Sequence, residues 1–195
     1  MSKLKVYTFP DPVLAQKAKP IERVEKTYFK LADGMLEAMY DFPGIGLAAN
    51  QVGVLDRIIV VDTEYNIKEM DELEPGEEIP QDGEVVNGRI VSGRKPKIMV
   101  NPEIIYREGK TRTEEGCLSV PKYWAEVDRS EKIKFRYQDI DGLEHTASAE
   151  GILAVCMQHE IDHLDGTLFI DRLSQLKKEF AKKKLLKARK NREES

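Results

Sequence analysis

Two of the chain's three histidines stand four residues apart, in the run His159-Glu160-Ile161-Asp162-His163. Residues four apart lie on one face of an α-helix, so both imidazoles can bind one metal ion if this run is helical. Glu160 can then stand beside a metal-bound water without being a ligand, as in metal hydrolases that use a carboxylate base. The run predicts a helix with a metal site, although such a short pattern also occurs by chance on charged helices.

A catalytic site of this kind needs about three protein ligands and a water, so a third ligand has to be found. In metzincin proteases it is another histidine, in the continuation His-x-x-Gly-x-x-His. Gly166 stands at the matching distance after His163, but Phe169 occupies the position of the last histidine and cannot bind a metal. Proteases with a distant downstream glutamate are a poor match, because the glutamates available lie in a lysine-rich tail: Glu179, Glu193 and Glu194.

The two cysteines of the chain are the remaining candidates. Cys117 lies in a short segment between expected strands, and Cys156 shares a helical face with His159. Geometry alone eliminates neither. Cys156 and His163 would, however, stand about 10 Å apart along one straight helix, which is too far for both to bind one ion. We therefore predict Cys117 as the third ligand and Cys156 as a buried side chain in the wall of the site.

Three motifs of the chain together resemble the signature motifs of peptide deformylases. They are Gly44-Ile45-Gly46-Leu47-Ala48-Ala49-Asn50-Gln51, Glu115-Gly116-Cys117-Leu118-Ser119 and Gln158-His159-Glu160-Ile161-Asp162-His163. The motifs follow one another in the family's order and with roughly its spacing, and the similarity extends from about Val6 to Leu173. Three matched motifs are far more specific than any one of them.

The resemblance implies a metal-dependent hydrolase that removes formate from the N-formyl-methionine of a nascent chain. Cys117, His159 and His163 would hold one divalent metal, which lowers the pKa of a bound water from about 15.7 to about 7. Glu160 would accept the water proton and deliver it to the departing amine.

Further residues receive roles from the same resemblance. The side-chain amide of Gln51 and the backbone N–H of Leu118 would stabilise the oxyanion, at about 3–4 kcal/mol for each donor. Their alternative roles are a structural glutamine and an ordinary strand N–H. Gly44, Gly46 and Gly116 leave space for the substrate backbone, to which Gly46 and Gly116 would bond. The methionine pocket would be lined by Ile45, Thr113, Ile152, Val155, Cys156 and His159.

Ligand chemistry leaves the identity of the metal open, because one thiolate and two imidazoles suit zinc, iron, cobalt and nickel about equally. The resemblance implies Fe²⁺ in the native enzyme, with Zn²⁺, Ni²⁺ or Co²⁺ able to substitute. Trp124 departs from the family's pattern, in which a basic side chain is common near this position. The docking of later substrate residues therefore stays open.

Periodicity predicts the elements that carry these motifs. Tyr28, Leu31, Met35 and Met39 indicate a helix that ends near Pro43-Gly44, and the motif helix should run from about 149 to 164. Strands are expected at 57–61, 98–106, 133–138 and 144–147, and Ser174 should cap a last helix. The sequence predicts an α+β fold, with mostly antiparallel strands around the central motif helix and a C-terminal helix.

Composition limits the class of protein without identifying it. A chain of 195 residues fits one domain, and two cysteines leave no disulfide framework, which favours the cytoplasm. Neither a signal peptide nor a stretch long enough to span a membrane is recognisable, and no nucleotide cofactor is expected. We divide the chain into a catalytic domain over residues 1–173 and a basic helix over 174–195.

Two charged segments lie outside the motifs. Residues 62–84 contain ten acidic residues and one lysine. They overlap an insertion, a segment at about 64–95 that is shorter in most deformylases. We expect a solvated or partly disordered loop there, with a lid or a partner-docking loop as the alternative. Residues 177–195 carry nine basic and three acidic residues. They predict a helix that docks on ribosomal RNA near the peptide exit, or else a solubilising charged helix.

Two other functions are compatible with parts of this pattern. A small metalloprotease would share the His-Glu-x-x-His run, but the third ligand at Cys117 and Phe169 in place of histidine argue against it. A non-catalytic, metal-stabilised module could use the basic tail to bind nucleic acid. Glu160 argues against that module, because a structural site normally fills all four metal positions with protein ligands.

Overall fold

A computed structural model describes residues 3–74 and 76–193 of the chain, with the backbone alone at residues 192 and 193. Three α-helices are present in this part of the chain: α1 (Lys26–Asp41), α2 (Gly151–Leu164) and α3 (Gln175–Glu193). The strands are β1 (Gly46–Ala48), β2 (Ile58–Val61), β3 (Asn66–Glu69), β4 (Glu84–Val86), β5 (Arg89–Ser92), β6 (Lys97–Glu108), β7 (Thr111–Cys117), β8 (Val120–Arg129), β9 (Lys132–Gln138) and β10 (Glu144–Glu150). All strand pairs are antiparallel.

A five-stranded sheet in the order β1-β2-β6-β9-β10 lies between two helices. All four residues of β2 are buried, because both faces of this strand are covered. Ile59 and Val61 belong to the apolar cluster that includes α2, whereas Ile58 and Val60 belong to the cluster that includes α1. The alternation of side chains along one strand thus joins both helices to the same sheet.

Helix α2 lies in the centre of the molecule. Its residues from Ala154 to Leu164 are all buried, including His159, Glu160 and His163. A helix that is buried on every side needs apolar residues on most of its surface and partners for its polar ones. Met157 and Leu164 supply apolar contacts, while His159 and Asp162 contact Glu115 of β7 and Arg129 of β8.

The hairpin of β7 and β8 forms a separate two-stranded sheet that faces α2. Behind it, Val120 and Val127 of β8 pack in a cluster with Phe169 and with Leu185 of α3. Phe169, which stands where a metzincin would have its last ligand, is therefore a core residue with 1% of its surface exposed. Only part of α3 is held in this way, since Leu176 and Phe180 are 82% and 65% exposed.

The insertion at 64–95 is more ordered than its composition indicates, and the prediction of a solvated or partly disordered loop there is wrong. Strands β3, β5 and β4 form a three-stranded sheet, in that order. Asn87 and Gly88 link β4 to β5 with positive φ angles of 51° and 82°, as in the two-residue turns that join antiparallel strands. Ile90 and Val91 are buried, so this small sheet has an apolar contact with the rest of the molecule.

The α+β architecture predicted from the sequence is confirmed. Helix α2 begins two residues later than expected and ends at Leu164 as predicted, and α3 begins directly after Ser174. Strand β6 is interrupted as expected near Asn101-Pro102, where its register with β9 shifts. In the described part of the chain, no helix has both the length and the apolar character required to cross a bilayer.

Candidate metal centre and substrate cleft

Three side chains from two elements converge at one point, namely Cys117 at the end of β7 and His159 and His163 on α2. Cys117 Sγ lies 3.2 Å from His163 Nε2, and the two Nε2 atoms are 3.2 Å apart. All three potential ligand atoms lie within 4.8 Å of one another. A tetrahedral ion with bonds of about 2.0–2.3 Å holds its ligands roughly 3.3–3.7 Å apart. The donor atoms and their spacing therefore fit one divalent transition metal.

The orientation of His159 is fixed by a buried carboxylate. Its Nδ1 lies 2.8 Å from Glu115 Oε2, and both oxygens of Glu115 accept hydrogen bonds from Arg129, at 2.6 and 2.8 Å. With a metal ion bound, the remaining proton of His159 would lie on Nδ1, and the Nε2 lone pair would be free to bind the ion. Such a carboxylate partner sets the tautomer of a ligand histidine and increases its basicity.

The pKa values of this group follow from the same contacts. Burial would raise the pKa of Glu115, but hydrogen bonds from Arg129 and His159 outweigh it and lower the pKa to about 2. Burial likewise lowers the pKa of His159, yet hydrogen bonds with Cys117 and Glu115 leave it well above the ordinary value. For His163, burial and the nearby charge of His159 lower the pKa, so this imidazole is neutral and able to act as a ligand.

Arg129 connects the centre to the far side of α2. Only 2% of its side chain is exposed, and it also donates a hydrogen bond to Asp162. Asp162 accepts further hydrogen bonds from Arg172 on its other side. Two arginines thus balance two carboxylates in a network that is buried except at Arg172. Removal of one partner from such a network typically costs about 3–5 kcal/mol of stability, because it leaves an uncompensated charge.

Glu160 is a buried carboxylate that forms no ion pair with this network among the described residues. Its Oε2 atom has no hydrogen-bond partner among the described residues. Burial raises the pKa of Glu160 to about 7. It does not belong to the convergent set of ligand atoms, although it directly follows His159. A carboxyl group in this state can exchange a proton with a molecule in the cleft near neutral pH.

Gly46 passes directly over Glu160. A methyl group added at Gly46 would lie 2.6 Å from Glu160 Oε1 and 2.7 Å from Cys156 Sγ, so glycine is needed for this approach. Cys156 Sγ in turn donates to the carbonyl of Ile45 at 3.4 Å. Burial raises the pKa of the Cys156 thiol well above its ordinary value, and this keeps the sulfur protonated. Cys156 is a wall residue in this geometry, outside the convergent set.

Gln51 is held on both sides of its amide. Its Oε1 accepts from the Ala48 N–H at 2.8 Å, and its Nε2 donates to Ser119 Oγ at 3.1 Å. The same Nε2 lies 3.5 Å from Cys117 Sγ, which places an amide donor beside the convergent group. The sequence predicted Gln51 at the site but did not predict Ser119, the buried hydroxyl that orients it.

A cavity of about 1050 Å³ opens above this group. Every residue predicted to bind substrate lines it: Gly44, Ile45, Gly46, Thr113, Gly116, Ile152, Val155 and Cys156. Gln51, Cys117, Leu118, His159 and Glu160 also line the cavity, whereas His163 lies beneath it. Trp124 stands at the rim with 60% exposure, and its indole packs on Gly116 so closely that a Cβ there would meet it at 2.5 Å.

Glu115 and Arg129 support the site but were not predicted from the sequence. A signal existed for Glu115, because residues two apart in a strand face the same side, and Glu115 stands two residues before Cys117 in β7. Arg129 had no comparable signal. Its partners Glu115 and Asp162 are 14 and 33 residues away in the sequence, and only the fold brings them together.

Comparison with known families gives one clear similarity. Residues 3–179 match the family model described as polypeptide deformylase. A peptide deformylase of Alkalilimnicola ehrlichii is 43% identical over 187 residues, which cover 96% of this chain and 91% of that protein. A peptide deformylase of Agrobacterium fabrum is 44% identical over 180 residues, 92% of each chain.

Solved structures give the same result at the level of the fold. The crystal structure of a peptide deformylase from Legionella pneumophila superposes with a TM-score of 0.77 at 35% identity, over 98% of both chains. The peptide deformylase from Ehrlichia chaffeensis in complex with actinonin superposes with a TM-score of 0.77 at 38% identity, over 96% of this chain and 98% of that one.

Proposed function

This chain belongs to the polypeptide deformylase family, enzymes that remove the N-terminal formyl group of nascent peptides, and we propose how its residues carry out that reaction. Cys117, His159 and His163 would hold one catalytic metal ion. The observation that supports this assignment is their convergence beneath a cleft in which Glu160 is buried and unpaired. A bound divalent ion supplies a Lewis acid and an acidified water at neutral pH.

Glu160 moves the proton in this mechanism. As a carboxylate it accepts a proton from the attacking water, and it then donates that proton to the nitrogen of the departing amine. Water addition turns the formyl oxygen into an oxyanion, which the Gln51 amide and the Leu118 backbone N–H stabilise. Hydrogen bonds from Gln51 to Ser119 and from Ala48 to Gln51 fix the amide in advance, so little reorganisation is required during the reaction.

The apolar wall of the cleft binds the methionine side chain. This pocket is lined by Ile45, Thr113, Ile152, Val155, Cys156 and His159, and a flexible thioether suits walls of this kind. Gly46 and Gly116 bond the substrate backbone, because neither has a side chain to keep the peptide away. The division of the chain at residue 173 and a cytoplasmic location, favoured by two free cysteines, belong to the same proposal.

A formate-release assay on a formyl-methionyl peptide tests the proposed mechanism. We expect formate and a free methionyl amine, with no cleavage between methionine and the second residue. A protease would instead produce shorter peptides, and a non-catalytic module would release nothing. Either of these results would contradict the proposal.

The native metal is proposed to be Fe²⁺, with Zn²⁺, Ni²⁺ or Co²⁺ able to replace it. Oxygen sensitivity tests this choice, because iron beside a thiolate exposes Cys117 to the sequence of thiol oxidations. We expect activity to fall in air together with modification of Cys117, measured by mass spectrometry, and to be spared in the nickel or cobalt forms. A zinc form that is equally active and indifferent to air would identify zinc as the working metal.

We also propose that α3 docks the enzyme on ribosomal RNA near the peptide exit, with the acidic insertion turned away from the RNA. The lysines of α3 differ in their surroundings. Lys178 pairs with Asp171 at 2.8 Å, and Lys184 lies over the Tyr123 ring. Lys177, Lys183 and Lys187 are exposed, as is Lys184. Exposed cations release counterions from phosphates when they bind, so binding should depend strongly on salt.

Deletion of residues 182–195 should weaken co-sedimentation with ribosomes at low salt and leave hydrolysis of a free formyl-peptide nearly intact. Because this deletion also removes the buried Leu185, a Lys177→Gln/Lys183→Gln/Lys187→Gln variant is the cleaner test. This triple variant should reduce the slope of the logarithm of the ribosome-binding constant against the logarithm of the salt concentration by about 2–3. Lys110→Gln, an exposed lysine outside α3, is the control. Unchanged co-sedimentation in both tail variants would remove α3 from the proposal.

A further inference from the structure

One residue of the inserted sheet lines the substrate cleft. Of the described residues between Glu64 and Lys95, Arg89 alone takes part in the lining. The many acidic residues of the insertion lie elsewhere, so its negative charge does not face the peptide directly. The cleft lining otherwise contains the cation Lys122 and the exposed Glu114, together with Glu115 and Glu160 at its floor. Arg89 therefore adds a positive charge to the cleft. Binding of the uncharged methionine side chain does not require this charge.

The position of Arg89 is determined by its neighbours in the fold. It is the first residue of β5, directly after the Asn87-Gly88 turn, and β5 is paired on both sides. Asn87 Nδ2 donates to the carbonyl of Asp41 at 3.0 Å, so the turn is attached to the end of α1. At the start of the insertion, Tyr65 Oη donates at 2.9 Å to the carbonyl of Gly44, which itself lines the cleft.

The guanidinium of Arg89 retains binding capacity. Its Nε donates to Glu69 Oε1 at 2.5 Å across the strand pair, and its two terminal nitrogens have no hydrogen-bond partner among the described residues. A third of the side chain is exposed. Two parallel N–H groups on one planar cation match the two oxygens of a carboxylate.

We infer that Arg89 is a specificity-determining residue that favours substrates with a carboxylate side chain downstream of the formyl-methionine. The peptide leaves the methionine pocket through this cleft, and an acidic residue that reaches Arg89 can accept from its terminal nitrogens. The inference rests on the proposed deformylation and adds the contact that distinguishes one nascent peptide from another. We expect a preference of about five- to tenfold in kcat/KM, which corresponds to about 1–1.4 kcal/mol.

The test compares kcat/KM for amidated formyl-methionyl peptides of four residues. Alanine fills the other positions, and glutamate or glutamine is placed in turn at the second, third or fourth. The unsubstituted enzyme should prefer glutamate at one of these positions at least. Arg89→Gln should bring the ratio of glutamate to glutamine peptide close to one, and Arg89→Lys should give an intermediate ratio, because lysine keeps the charge but loses the planar pair of donors.

Lys68→Gln is the matched control. Lys68 lies in β3 of the same inserted sheet, pairs with Glu77 and does not line the cleft, so its substitution changes the net charge of the insertion equally. The ratio of kcat/KM for the glutamate peptide to that for the glutamine peptide should persist in this variant. An unsubstituted enzyme without any preference, an unchanged ratio in Arg89→Gln, or an equal loss in Lys68→Gln would each overturn the inference. Formate release from the glutamine peptide tests the proposed deformylation independently of the ratio.

Discussion

Glu160→Gln is expected to keep the metal and to lose about 10²–10⁴-fold in kcat on a formyl-methionyl peptide. Glutamine is close in shape to glutamate, so it fits beneath Gly46, but it cannot accept the proton of the attacking water. Glu160→Ala should lose more, because it also opens space beside the centre. Metal content by elemental analysis separates this chemical defect from loss of the ion. Near-normal rates in the glutamine variant would show that another base serves.

The pH dependence of the unsubstituted enzyme and of Glu160→Gln gives an independent check of the role of Glu160. Burial raises the pKa of Glu160 to about 7, and a bound cation would lower it. The base form exists above this pKa, so kcat/KM of the native enzyme should fall with decreasing pH, with an acid limb at or below about pH 7. That limb should be absent from the residual activity of Glu160→Gln. Glu150→Gln is the matched control, because Glu150 is exposed and stands directly before α2 at the end of β10.

Cys117→Ser should bind metal more than about a hundredfold less tightly, since even residues that only support a ligand contribute about 10–100-fold. An alcohol oxygen is a poor substitute for a thiolate toward iron or zinc. Cys156→Ser should retain the metal, because its sulfur donates to the Ile45 carbonyl and does not belong to the convergent set. Competition with a chelator measures both affinities. Metal loss in Cys156→Ser with retention in Cys117→Ser would reverse the assignment.

A histidine control completes this experiment. His145, the third histidine of the chain, lies in β10, contacts Asp139 at 2.6 Å and stacks on Tyr137. It is remote from the ligand group in the fold, so His145→Ala should leave the bound metal and the activity nearly unchanged. A loss of metal in this variant would indicate that general destabilisation can mimic removal of a ligand.

The elements with strong periodicity were predictable, and the insertion was not. The spacing of Met35 and Met39 identified α1, and the two histidines identified α2, because each pattern requires one helical face. The inserted sheet was hidden by its charge. Its strands are short, and acidic residues surround the one strong local signal, the Asn87-Gly88 turn between apolar pairs of residues. Turn chemistry should therefore count for more than composition in such a segment.

In the candidate site, side chains that belong to a sequence motif were predictable. Side chains that reach the site only through the fold were not. Cys117 could be favoured over Cys156 because helix length sets a distance that can be calculated. Ser119 and Arg129 act through partners that are far away in the sequence, and nothing in their own neighbourhood indicates these contacts. Arg89 is a similar case, since only the pairing of β5 brings it to the cleft.

The burial of α2 has a consequence for how the centre fluctuates. Local openings of a protein start where few apolar contacts hold the backbone, and the most protected amides lie in the core elements. Every residue from Ala154 to Leu164 is buried, so the amide hydrogens of this helix should exchange with solvent only through large-scale unfolding. His159 and His163 are thus carried by the slowest-exchanging part of the chain, and fluctuations around the cleft must come from the parts of its wall outside α2.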